Sequence, residues 1–156
     1  MSGFASTFGV QDAIVKAIQD YNSTLAENRL KTIKRLPFQF LDKKVSDLLV
    51  MEPFALLFFS GQAAIESERL QSAASTIREI RLMLFLGARK VTANPYDDAE
   101  RVVLGHLDGI RESLDGVELT AVGSQDSFNV YWKSDAIAYG DTDGVVYGQE
   151  FAISKM

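Results

Sequence analysis

Apolar residues recur at intervals of three and four in two stretches of this chain, and nearly everywhere else they alternate or run together. In the first stretch Val10, Ala13, Ile14, Ala17, Ile18, Tyr21 and Leu25 share one side. Gln11, Asp12, Lys16, Gln19 and Asp20 fill the other, which predicts an amphipathic helix of about four turns. The second stretch, Asn94 to Gly116, is the better punctuated. Asn94 suits a helix cap, and Pro95 suits the first helical position, where a missing N–H costs nothing. Asp97, Asp98 and Glu100 place negative charge where the helix dipole favours it. Ala99, Val103, Leu107, Ile110 and Leu114 form the apolar stripe, and Gly116 supplies a left-handed stop.

The remaining apolar pattern predicts strands. Phe54 to Ser60 is a short apolar run ending at Gly61, as in a buried strand. Gln62 to Ser75 fits a hairpin arm plus loop better than a poor helix. Thr76 to Ala88 alternates in its first half and is apolar on both faces from Leu82 to Leu86. One end of that strand is therefore wet and the other covered. After the second helix, Val117 to Val122 is a short strand and Gly123 to Ser127 a turn. Phe128, Val130 and Trp132 alternate along the next strand, with Asp135 to Tyr139 continuing it past a bulge. A turn at Gly140 to Gly144 leads to the last strand, where Val145, Tyr147, Phe151 and Ile153 are in step. Residues 1–8 read as a flexible leader. Residues 26–53 read mainly as a long basic loop with room for a short strand, and long loops in compact domains tend to be functional or mobile.

The order is helix, about three strands, helix, about three strands. Two helices cannot cover both faces of a six-stranded sheet, so the economical fold is α+β: a mainly antiparallel sheet with both helices packed on one face. The other face is then solvated or met by a partner. The 156 residues fit a single domain, 1–156, which at this size hides roughly 68–70% of its unfolded surface. Hydrophobic residues make up 47% and there are no cysteines, so disulfides, thiolate metal sites and cysteine catalysis are excluded. A net charge of −5 argues against a general nucleic-acid coat and a polybasic membrane anchor. The first residues lack the charged and apolar regions of a signal peptide, and the expectation is a cytoplasmic protein.

Candidate chemistry is sparse. His106 is the sole histidine and lies beside the apolar stripe of the second helix, with no H-E-x-x-H spacing and no G-x-S-x-G serine. A boundary histidine on a packed helix is the simpler reading. Asp97 and Asp98 point about 100° apart on a helix and do not converge unaided. Tyr139-x-Asp141-x-Asp143-Gly144 shares spacing with a calcium loop, but its first ligand position is Tyr139 and strands flank it. Asn22-Ser23-Thr24 is a formal glycosylation sequon that reads as chance. Neither phosphate-binding glycine pattern occurs. We expect no catalytic residue, cofactor or metal. The expected interface is the basic segment Arg29, Lys34, Arg35, Lys43 and Lys44 with Phe38 and Phe40 interleaved, together with the acidic turn Asp141 and Asp143.

An N-terminal amphipathic helix, a long loop, F-A-L-L-F-F-S-G, then R-E-I-R-L-M-L-F-L-G-A-R, then D-D-A-E-R-V-V-L-G-H-L-D-G-I-R-E-S-L-D-G and a terminal hairpin follow one another over residues 10–153. In element order, length and style this resembles the small tail-terminator (tail-completion) proteins of tailed phages, especially those of Mu-like contractile tails. The resemblance implies an α+β protomer that forms a ring, a hexamer, on the last ring of the tail tube. That ring ends tube polymerisation and offers a surface to the neck, and to the sheath in contractile tails. The implied partners are the protein itself, the tube protein, and sheath and neck proteins, with no membrane and no sequence-specific nucleic acid. The implied place is the virion. Two other expectations are a different neck or head–tail connector component and a small ligand-binding domain.

Overall fold

The computed structural model describes residues 7–35, 53–64, 78–89, 95–140 and 144–155. Their order is α1 (Thr7–Ser23), β1 (Thr32–Arg35), β2 (Phe54–Ala64), β3 (Arg78–Arg89), α2 (Pro95–Leu114), β4 (Glu118–Thr120), β5 (Ser127–Gly140) and β6 (Gly144–Lys155). The class is α+β, with helix, three strands, helix, three strands as the pattern predicts. The strands make one sheet in the order β1-β2-β3-β6-β5-β4. Every pairing is antiparallel except β1 with β2, which is parallel.

Both helices pack on one face. Val10, Ile14 and Ile18 of α1 and Val103, Leu107, Ile110 and Leu114 of α2 join Leu57, Leu82, Leu84, Phe151, Ile153 and Val130 in one buried cluster. The sheet curls around α1, so that opposite ends of the sheet reach the same helix. Arg35 at the end of β1 pairs with Asp12 at 3.0 Å, and the Val122 N–H beyond β4 donates to the Gly9 carbonyl at 3.0 Å. α2 starts at Pro95, as its sequence predicts. It stops before Gly116, whose φ of 77° lies in the left-handed region that suits glycine.

Three expectations need correction. Thr7 and Phe8 belong to α1 rather than to a leader, because the chain is already helical when it reaches the Gly9–Val122 bond. The basic segment does hold a short strand, β1, as its sequence left room for; β1 needs β2 as its neighbour and so carries little pattern of its own. The face away from the helices is not simply wet or left for a partner. Phe54, Leu56, Val146 and Ala152 point to that side by strand alternation and are buried within the chain. β2 also runs through Gly61 to Ala64, past a bulge at Ser60, instead of ending.

Candidate functional site

The loop after α1 is tied down by side chains. Asn22 donates to the Leu30 carbonyl at 3.0 Å and accepts from the Leu30 N–H at 2.7 Å, so the sequon asparagine is spent on the backbone. Arg29 is exposed, but its guanidinium turns back to the carbonyls of Leu25 at 2.6 Å and Ser23 at 3.2 Å, where a cation suits the end of a helix. Lys34 is exposed, on the sheet face away from the helices. Arg35 pairs with Asp12, and its guanidinium also lies 4.8 Å from the centre of the Phe8 ring. The structure thus brings Arg35 to α1 and commits Arg29 to its own loop. Phe38, Phe40, Lys43, Lys44, Asp141 and Asp143 lie outside the described residues.

Sequence reasoning missed Phe8 and Val122, which are 61% and 50% exposed. Backbone pairing of Val122 with Gly9 sets them beside the same end of α1 as Arg35. The available signal was Phe8 one helical turn before Asp12, the spacing at which an aromatic shares a face with its neighbour.

His106 sits deeper than the boundary expected of it, at 4% exposure. It faces α1, where the Tyr21 hydroxyl meets Nδ1 at 3.1 Å and the two rings stand edge to face. Gly109, one turn further along α2, leaves room for the Tyr21 ring. Either tautomer leaves Nε2 buried and unpartnered. Burial holds the imidazole pKa below its ordinary value; the backbone of Asn28 opposes that shift without closing a hydrogen bond to Nε2. The linkage has a definite sign. As pH falls below the ordinary histidine range, the unfolded chain takes up a proton before the folded one does. Stability present above that range is therefore lost on the way down to the folded pKa. We predict that the native protein loses more unfolding free energy between neutral and mildly acidic pH than His106→Gln does. Parallel pH profiles in chemical denaturation would sink this assignment.

On the other flank of α2, Arg111 bridges Asp108 at 2.9 Å and Asp135 at 3.4 Å, and lies 5.3 Å from the centre of the Trp132 ring. Trp132 Nε1 donates to Asp135 Oδ1 at 2.8 Å. The Tyr147 hydroxyl donates to Glu100 Oε1 at 2.8 Å, and this bond, with burial, raises the tyrosine pKa. Gln149, fully buried in β6, donates to the Leu107 carbonyl at 2.9 Å and fastens α2 to the sheet. These contacts fix the register of helix on sheet. Among the described residues no three His, Cys, Asp or Glu side chains are grouped to hold a metal ion, and no helix is long and apolar enough to cross a membrane. No protein-family model matches the chain, and no curated protein matches it.

Proposed function

We propose that the protein is a virion component that forms a ring on the head-proximal end of a phage tail tube, ends tube polymerisation and presents a surface for joining the neck. The observation that supports this reading is the element order. A helix, three strands, a second helix and three strands ending in a long hairpin run in the sequence in which the resemblance to tail terminators was drawn. The role requires shape and interfaces, with no catalysis. A closed ring needs a heterologous contact in which two different patches of the chain meet. The basic segment and the acidic turn at Asp141 and Asp143 are our candidates for those patches, through opposite charge. On this reading the partners are further copies of the chain, the tube protein and neck or sheath proteins, and assembly takes place in the host cytoplasm.

Reversal of Lys43 and Lys44 to Glu is expected to cut ring assembly on tubes by about tenfold or more, since like charges facing each other cost several kcal/mol. Counting capped tubes in negative-stain images checks this. Unchanged capping by the reversed protein would remove these lysines from the interface.

A further inference from the structure

The outer side of β5 changes character part-way along. Up to Trp132 its backbone is satisfied. β4 pairs with Ser127–Asn129, the Gly116 N–H donates to the Val130 carbonyl, and the Val130 N–H donates to Val117. The Asp115 carboxylate takes the Trp132 N–H at 2.9 Å. Beyond that point, among the described residues, nothing pairs with the outer side of Ser134 to Ile137. This open stretch is regular. It pairs in step with Glu150 to Tyr147 on β6, and register shifts at Lys133 and Ala138 bound it at both ends. Exposed edges are normally blunted by charge or twist, because free N–H and C=O groups invite another strand. Here the two bulges bound a segment of unbroken register, and the apolar Ile137 on it is 62% exposed.

The flank of α2 runs beside this edge. Glu100 holds Tyr147, the cross-strand neighbour of Ile137, and Arg111 holds Asp135. Leu104 stands between them on the same side of the helix, one turn after Glu100, and is 41% exposed. A strand edge open among the described residues, the exposed apolar side chains Ile137 and Leu104, and a helix flank therefore lie on the same side of the molecule. Of the charges there, Arg111 already serves Asp108 and Asp135, and Lys133 marks the bulge. Glu100 has a hydroxyl donor and, among the described residues, no cation.

We propose that this edge takes up an extended polypeptide segment of another protein as an added strand. An apolar side chain of the segment sits over Ile137 and Leu104, and a Lys or Arg sits near Glu100. Backbone pairing supplies affinity, and the apolar and charged positions supply selectivity. The proposal stands on the sheet edge and the adjoining flank of α2 and is independent of the ring reading.

The test is selection from a displayed library of random linear peptides against the full chain, followed by binding and hydrogen-exchange measurements with the enriched peptides. Enriched sequences should alternate and carry a basic residue. They should slow amide exchange at Ser134–Ile137 and lose at least about tenfold in affinity against Ile137→Lys and against Leu104→Lys. Both replaced side chains are exposed, so circular dichroism of the variants should match the native protein. Peptides that bind both variants as well as the native chain would overturn the proposal, as would a selection with no enrichment over them. So would β5 amides already protected in a protein whose native mass exceeds the monomer, since a second copy would then hold the edge.

Discussion

Phe151→Ala should cost about 3–5 kcal/mol of unfolding free energy, the largest loss expected of any single truncation here. Phe151 has no exposed surface and lies on β6, between β3 and β5, opposite Leu82 on one side and Trp132 on the other. It belongs to the cluster that both helices cover. Removing its ring forfeits the transfer energy of the aromatic group and leaves a void that two flanking strands, each hydrogen-bonded to β6, cannot close. A domain of ordinary stability has roughly 5–15 kcal/mol in total, so the variant retains little margin. Tyr131→Ala serves as the comparison, because Tyr131 is 43% exposed on the neighbouring strand. Its loss should stay near or below about 1 kcal/mol. Urea denaturation of both variants decides the matter. A Phe151→Ala loss no larger than that of Tyr131→Ala would mean that the two layers do not pack around Phe151 as described.

Gly87→Ala should destabilise by about 1–3 kcal/mol, although replacing a mid-strand glycine with alanine ordinarily gains about 0.5–1 kcal/mol. The reversal comes from Phe54, the direct cross-strand partner of Gly87. A Cβ at Gly87 would come within 2.6 Å of Phe54 Cε2 and 3.1 Å of Cε1, and closer still to Cζ. The Phe54 ring is fully buried, so it cannot turn out into solvent to make room. The ring covers the bare backbone that the glycine leaves, a pairing that aromatic residues make across from strand glycines. With Phe54→Ala already present, the same Gly87→Ala change should become neutral or stabilising. A double-mutant cycle reads this coupling directly, and simple additivity of the two changes would refute the contact.

The parts of the fold legible in the sequence were those whose signal is local. α2 carried its apolar stripe, its proline and its terminal glycine within its own residues. β5 and β6 alternated cleanly enough to show even the bulge after Trp132. β1 showed only as room for a short strand, without a position, because T-I-K-R is a strand only by virtue of its parallel partner β2. Gln149 and His106 break the apolar pattern yet are buried, since Leu107 and Tyr21 supply hydrogen bonds across the tertiary structure. Periodicity cannot show that. The burial of Phe54 and Leu56 on the second face was likewise invisible, because alternation says which side a residue faces and not what covers that side.

Of the candidate interface, the sequence located a concentration of charge but not its use. Arg35 and Arg29 are both basic and near in sequence, yet one grips Asp12 and the other the end of α1. That the edge at Ser134–Ile137 is open among the described residues could not be read from its own sequence, because it follows from β4 being three residues long and pairing no further than Asn129.

The proposed closure of this chain into a ring at the end of a tail tube is tested most directly by native mass spectrometry over a range of concentrations, paired with negative-stain images of the protein mixed with the tail tubes proposed as its partner. The account predicts a closed ring of about six copies, either free in solution or seated on one end of each tube. A monomer at every concentration, together with bare tube ends that keep growing in its presence, would contradict it.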